Sequence, residues 1–155
     1  MIIKDLVSIL IPTYNRPVLF EETLRSALAQ TYPQVEILVN DNSTNEDTAL
    51  LMKKYEADPR VHYFRNRTAK CKADNFRPFE RKARGEYLQW CMDDDILLPD
   101  KLAVMVQVLR DNPEVTLVSS QRDFIDEKGH SLSNERCMMI NDDALWRCYT
   151  GREAG

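Results

Sequence analysis

The chain alternates between compact apolar blocks and stretches in which apolar residues recur at helical spacing. Leu6-Val7-Ser8-Ile9-Leu10-Ile11 is a nearly unbroken apolar run, the pattern of a strand buried in a parallel sheet, and Pro12 is expected to stop it. Pro17 suits the first turn of a following helix, in which Phe20, Leu24, Ala27 and Leu28 share one face and which Tyr32-Pro33 ends. Val35-Glu36-Ile37-Leu38-Val39 predicts a second strand running into the polar segment Asn40-Asp41-Asn42-Ser43. Ser43, with Glu46 three residues on, has the form of a capping box and predicts a helix through about Tyr55, broken by Asp58-Pro59. Val61-His62-Tyr63-Phe64 reads as a short third strand. Glu86-Tyr87-Leu88-Gln89-Trp90-Cys91 reads as a fourth that leads directly into Asp93-Asp94-Asp95. Pro99 opens a helix with Leu102, Met105, Val106 and Leu109 on one face, closed by Asn112-Pro113. Val115-Thr116-Leu117-Val118-Ser119 predicts a fifth strand and Asp126-Glu127-Lys128-Gly129 a turn. Strands alternating with helices predict an α/β fold with a parallel sheet, which binds ligands at the carboxyl ends of its strands. Thr13, Asp41 and Asp93 all lie at such ends.

Length and composition narrow the class. The 155 residues fit a single domain over 1–155, and 43% hydrophobic with 30% charged residues is a globular composition that excludes disorder and collagen-like order. No apolar run approaches the roughly 18 residues of a membrane span, and the first residues lack a signal-type apolar stretch. A cytoplasmic protein, peripheral to a membrane at most, is expected. Cys71, Cys91, Cys137 and Cys148 form no CxxC pair and are expected as thiols. His62 and His130 have no metal-ligand company, and Trp90 and Trp146 read as core residues.

The net charge of -4 is unevenly spread: nine basic residues lie between Arg60 and Arg84 against only Asp74 and Glu80. Such a segment is either a solvated helix face or a site for an anionic ligand. Only Gly85, Gly129, Gly151 and Gly155 are glycines, so neither a GxGxxG turn nor a P-loop can be written. Any phosphate must be held by side chains, a metal ion or a helix N-terminus. Three consecutive carboxylates at Asp93-Asp94-Asp95 repel one another, and a divalent cation relieves that repulsion. Hard oxygen ligands suit Mg²⁺ or Mn²⁺. The competing reading is an acidic turn favoured by the dipole of the next helix. In an extended chain Asp93 and Asp95 fall on one side. An EF-hand is excluded, because its glycine is missing and Leu97 stands at a ligand position.

Three segments in matching order resemble the motifs of glycosyltransferase family 2: Val7-Ser8-Ile9-Leu10-Ile11-Pro12-Thr13-Tyr14-Asn15-Arg16, then Leu38-Val39-Asn40-Asp41-Asn42-Ser43, then Gly85-Glu86-Tyr87 followed by Asp93-Asp94-Asp95 and Pro99-Asp100-Lys101-Leu102. The resemblance covers nearly the whole chain. It implies a GT-A fold, a Rossmann-like and mostly parallel sheet flanked by helices, with a nucleotide-sugar donor, a UDP-sugar by preference, and Mn²⁺ or Mg²⁺ as cofactor. By position, Pro12-Thr13-Tyr14 looks like the family's base-binding turn, with Arg16 beside it and the Tyr14 ring lying against the nucleobase. Asp41 matches the aspartate that accepts a hydrogen from the base. A carboxylate there pairs with the N–H of uracil N3 or guanine N1 and disfavours cytosine, whose N3 is an acceptor.

Counting from Gly85-Glu86-Tyr87 sets the family's first and last motif aspartates at Met92 and Asp94. The resemblance therefore implies Asp94 as metal ligand with Asp93 near the ribose or the metal, and Asp95 as ligand in the literal register. Lys70-Cys71-Lys72-Ala73-Asp74-Asn75 stands where family members place an Ala-Arg-Asn stretch, which makes Lys70, Lys72 and Arg77 candidates for neutralising pyrophosphate.

The implied activity is transfer of a sugar to an acceptor hydroxyl with inversion, a carboxylate base taking the acceptor's proton. In the family that base lies downstream, often in a Glu-Asp pair. No matching segment precedes Gly155, and Glu153 does not fit the motif. The expectation is a donor-binding half, truncated before the acceptor half, that binds donor without transferring it. A non-catalytic nucleotide-sugar-binding module of the same fold is the alternative. A nucleic-acid binder using Arg60 to Arg84 would need stacking aromatics at regular intervals, which that stretch lacks.

Overall fold

The structure is a computed structural model and describes residues 1–68, 72–126 and 128–132. The chain divides into two compact units, Met1–Val104 and Met105–Gly155. Its elements in chain order are β1 (Ile3–Thr13), α1 (Pro17–Leu28), β2 (Val35–Asp41), α2 (Asp47–Met52), β3 (Val61–Arg65), α3 (Lys72–Lys82), β4 (Gly85–Trp90) and α4 (Lys101–Asp111). The four strands form one parallel sheet in the order β3-β2-β1-β4. No helix among the described residues is long and apolar enough to cross a membrane.

The chain builds outward from β1 to β2 and β3, then returns to place β4 on the other side of β1. Because parallel crossovers are right-handed, this reversal puts the helix before β4 on the opposite face from those before it. The packing agrees. Phe79 of α3 is buried against Leu10 and Leu38, with Phe64 and Ala83 beside them. Alternation along the strands turns Ile9, Ile11, Ile37 and Val39, all buried, to the other face. To that layer α1 contributes Phe20, Leu24 and Ala27. Pro17 occupies the first turn of α1 as expected.

Several local expectations are corrected. Pro12 does not stop β1, which continues to Thr13. The carbonyl of Leu10 points to β4, where it accepts from Cys91 N, and that of Thr13 points to β2, where it accepts from Asn42 N. By alternation the N–H that Pro12 lacks would face the β4 side, beyond the last pair Leu10↔Trp90, so no ladder bond is lost. The capping box does not form: α2 has Glu46 at its N-cap with no side-chain cap and ends at Met52. Ser43 Oγ instead accepts from Asn15 N at 2.8 Å, and Glu46 is drawn to Arg67 at 2.6 Å.

The basic segment after β3 contains α3, a helix the apolar pattern does not announce and one that includes Pro78. Proline cannot donate to the carbonyl four residues back, that of Asp74; Asn66 Nδ2 takes that acceptor at 2.9 Å. Residues 115–119 form no strand: Val115 is buried, but Leu117 is exposed and no ladder partner exists among the described residues. Trp90 is 44% exposed rather than a core residue, with its ring near Phe76 and Phe79 at 5.1 and 5.5 Å. Cys91 is a free, buried thiol, and burial pushes its pKa up to about 12. Cys71, Cys137, Cys148 and Trp146 lie outside the described residues.

Toward the amino ends of the strands a buried charge is fully satisfied. Glu36 accepts from Ser8 Oγ at 2.6 Å, from Arg84 N at 2.8 Å, and from the Arg84 guanidinium at 2.9 and 2.7 Å. Burial raises the pKa of this carboxyl, but the bonds from Ser8 and Arg84 outweigh it and the net shift is downward. A lowered acid contributes stability above the ordinary carboxylate range, and that contribution is lost as the pH falls through the lowered value. The next residue, Gly85, donates to Ser8 Oγ at 2.8 Å. A Cβ at Gly85 would lie 2.6 Å from Ser8 N and 2.7 Å from Leu6 O, both backbone atoms that cannot swing away. Gly85→Ala is therefore expected to cost about 3 kcal/mol or more in chemical denaturation; a loss under about 1 kcal/mol would show that β1 and β4 can part without penalty.

Candidate functional site

Three strands end level with one another. Thr13 pairs with Asp41 and Asp41 with Arg65, so these residues form a row along the carboxyl edge of the sheet. Parallel sheets open a crevice where strand order reverses, because the loops leaving the two flanking strands diverge to opposite faces. Here that point lies between β1 and β4. Cys91 N bonds Leu10 O at 3.0 Å and holds the chain against β1 just beyond the end of β4.

The two loops meet on Asp93. Thr13 Oγ1 donates to Asp93 Oδ2 at 3.0 Å, and Tyr14 N approaches the same oxygen at 3.3 Å. The Asp93 side chain is 13% exposed. Burial raises its pKa; the bonds from Thr13 and Tyr14 and the nearby Arg16 charge oppose that, while Asp94 adds to it, and the net shift is upward. Asp94 beside it is half exposed and receives the Arg16 guanidinium at 2.9 Å, with Arg16 also 3.6 Å from Asp93 Oδ1. Asp95 turns back on its own loop: Met92 N donates to its carboxylate at 3.3 Å and its own N–H donates to Met92 O at 3.1 Å. Asp93 and Asp94 thus face the Thr13–Arg16 segment, and Asp95 closes the turn behind them.

Asp41 has no exposed side-chain surface. Its Oδ1 accepts from Ser43 N at 2.7 Å, an Asx turn, and its Oδ2 accepts from Tyr63 Oη at 2.6 Å and Arg65 at 3.1 Å. The same guanidinium donates to the carbonyls of Ser43 and Asn45, so Arg65 fastens the β2–α2 loop to β3. Burial, with the bond to Asp41, pushes the Tyr63 phenol up to about 12, so it remains a donor at neutral pH. Beneath the edge, Asn75 of α3 accepts from Asn40 Nδ2 at 2.8 Å through its carbonyl and donates to Thr13 O at 3.4 Å. Arg65, Tyr63, Asn40 and Asn75 were not singled out by sequence pattern; the available signal was a polar residue inside an otherwise apolar face.

Tyr14 stands half exposed at the rim and Pro12 is buried below it. Lys70 and the Lys72 side chain lie outside the described residues. Arg77 is exposed on α3, 3.7 Å from Asp74. No group of three or more His, Cys, Asp or Glu suited to a metal occurs among the described residues. Mg²⁺ and Mn²⁺ commonly use one or two carboxylates and complete their shell with water and substrate phosphates. Asp93 and the accessible Asp94 supply hard oxygens of that kind, so the residues present fit such an ion.

Comparison with known proteins shows that this parallel α/β sheet is of the GT-A type. Residues 8–151 match the family described as Glycosyl transferase family 2, to which the chain belongs. It is 38% identical over 136 residues to an uncharacterised glycosyltransferase of Rickettsia conorii, covering 84% of this chain and 22% of that one. Among solved structures, the mannosyltransferase PcManGT of Pyrobaculum calidifontis, in complex with GDP-Man and Mn²⁺, aligns with a TM-score of 0.66 at 27% identity over 75% of this chain and 35% of that one. TarS of S. aureus aligns with a TM-score of 0.68 at 21% identity over 76% and 22%, a likeness of fold. The chain thus spans about a fifth to a third of the length of these proteins.

A carboxyl whose pKa is raised by folding lowers stability once it ionises, so Asp93→Asn is expected to leave the protein, without metal or nucleotide, at least as heat-resistant as the wild type at pH 7. Any gain should vanish as the pH falls below the ordinary carboxylate range, where both side chains are neutral. Thermal melts of the two proteins at pH 7 and at acid pH check this; a lower Tm for the variant at pH 7 would contradict it.

Proposed function

We propose that this chain forms the donor-binding part of a glycosyltransferase that takes a UDP-sugar with Mn²⁺ or Mg²⁺ and transfers the sugar to an acceptor hydroxyl with inversion. The observation that carries the reading is the placement of Asp93 and Asp94 at the switch point, one buried and bonded to the β1 loop, the other open to solvent. Pro12, Thr13 and Tyr14 receive the base, with the half-exposed Tyr14 ring as its platform. Asp41 accepts the base N–H, for which the Tyr63 and Arg65 donors must yield access to its carboxylate. Asp93 binds the ribose hydroxyls, Asp94 holds the metal, and Asp95 supports the turn. Arg16, Lys70 and Lys72 balance the diphosphate charge. Bound Mn²⁺ or Mg²⁺ would neutralise the negative charge that grows on the leaving diphosphate.

Known complexes support this choice of ligand: PcManGT was solved with GDP-Man and Mn²⁺, and TarS with UDP-GlcNAc. The base donor–acceptor pattern admits uracil and guanine alike, and UDP is the first probe. Transfer also needs a base for the acceptor's proton and a wall that positions the acceptor. With the chain covering a fifth to a third of its relatives, we assign donor binding to it and expect little transfer by these 155 residues alone. A cytoplasmic location belongs to the same reading.

Asp94 is exposed, so Asp94→Asn removes a charge without burying a defect. Calorimetric titration of UDP in the presence of Mn²⁺ is expected to show at least about tenfold weaker binding by this variant, the scale of one charge-assisted contact. Equal affinities would contradict the assignment, and a loss confined to Asp95→Asn would move the metal site to the literal register.

A further inference from the structure

The two loops assigned to the base are joined through the side chain and backbone of Asn15, in addition to the bond from Asn42 N to Thr13 O. Asn15 has a φ of 53°, in the left-handed region that few residues other than glycine enter and that asparagine tolerates best among the rest. With the backbone in this conformation, its N–H donates to Ser43 Oγ at 2.8 Å. Its side-chain amide bridges Thr44: Nδ2 donates to Thr44 Oγ1 at 3.0 Å, and Oδ1 accepts from Thr44 N at 3.0 Å. Thr44 Oγ1 also lies 3.3 Å from Oδ1. Ser43 is fixed in turn by the bond from its N–H to Asp41, and Asn42 N bonds Thr13 O at 3.2 Å. A continuous run of hydrogen bonds therefore connects the residue after Tyr14 to Asp41. On the other side of the same turn Tyr14 N is anchored to Asp93.

We propose that Asn15 is a positioning residue for nucleotide binding: its left-handed backbone and its amide bridge to Thr44 set the spacing between the Tyr14 ring and the Asp41-bearing loop, and so the slot that receives the base. The inference rests on the base-site reading above. Glycine would provide the backbone conformation but not the bridge, and alanine neither; asparagine supplies both. Tyr14 is half exposed, so the placement of its ring depends on where the backbone of this turn is held. Stacking on a half-exposed ring is sensitive to ångström displacements, whereas the metal contact assigned to Asp94 does not pass through the bridge.

The test compares wild type with Asn15→Gly, Asn15→Asp, Thr44→Val and Tyr14→Ala by calorimetry in Mn²⁺. The probes are UDP or GDP, whichever the wild type binds more tightly, and pyrophosphate, which has no base. Asn15→Gly is expected to bind the nucleotide about 3- to 15-fold more weakly, the range for one or two lost hydrogen bonds, with pyrophosphate affinity unchanged. Asn15→Asp should recover most of the loss, because the Thr44 N–H and hydroxyl can both donate to a carboxylate. Thr44→Val should weaken the nucleotide in the same way, and the Asn15→Gly/Thr44→Val double variant no further than Asn15→Gly alone. Unchanged nucleotide affinity in Asn15→Gly, with Tyr14→Ala weakened, would overturn the inference and leave the base site standing. Equal losses for nucleotide and pyrophosphate would also overturn it, by showing a general loosening of the site. If Tyr14→Ala binds the nucleotide normally, or if the wild type binds neither nucleotide, the base-site reading fails and the inference falls with it.

Discussion

The structure depends on the hydrogen bonds that Thr13 Oγ1 and Tyr14 N make to one oxygen of Asp93. They cross the point where strand order reverses, between two loops that topology would otherwise send to opposite faces of the sheet. A carboxylate this buried is unfavourable, as its raised pKa records, and the hydroxyl, the amide and Arg16 only partly offset the desolvation. Perturbed carboxyls of this kind occur at ligand sites and in structural charge networks alike. Under the proposed function a cation and the hydroxyls of a ribose relieve the residual cost.

The sheet carries buried charge toward both ends, and the two differ in kind. At Glu36 every donor is close and the carboxyl is pulled downward, so the ion pair with Arg84 acts with Gly85 to lock β4 against β1 and β2. At the carboxyl edge, Asp41 is equally buried but is bound by two partly buried side chains of β3, Tyr63 and Arg65, the second of which also holds the β2–α2 loop. The first arrangement gives a rigid floor. Under the proposed function the second is a wall whose donors give way to those of a base, which requires that the loop stay in place when Arg65 is disturbed. The Asn15 bridge meets that loop from the other side.

The strands β1 and β2 and the polar residues that end them could be read from the chain because buried parallel strands are short continuous apolar runs, the pattern of Val7–Ile11 and Val35–Val39. The family motifs then followed in order. What could not be read were features decided by a partner distant in sequence. The helix at Lys72–Lys82 contains a proline that is tolerated because Asn66 satisfies the carbonyl of Asp74. Ser43 looked like a helix cap, but its hydroxyl is taken by Asn15, which lies far back in the chain. Val115–Ser119 has strand composition, yet a strand is defined by its neighbour and none pairs with it among the described residues. At the candidate site, Thr13, Asp41 and Asp93 were visible as polar residues at strand ends, while Tyr14 and Asp94 were singled out by the family resemblance. The donors that hold Asp41 were not, because Tyr63 and Arg65 belong to a strand whose register sequence pattern does not fix.

The proposed function requires nucleotide and metal to enter between the ends of β1, β2 and β4. Backbone amide chemical shifts of the isotope-labelled chain, recorded with Mg²⁺ during addition of UDP, test it most directly. The largest changes are expected at Thr13 to Arg16, Asp41 to Thr44 and Asp93 to Asp95, and only when both components are present. Changes centred instead on the basic outer face of α3, at Arg77 to Lys82, or no change on addition of UDP with Mg²⁺, would contradict it.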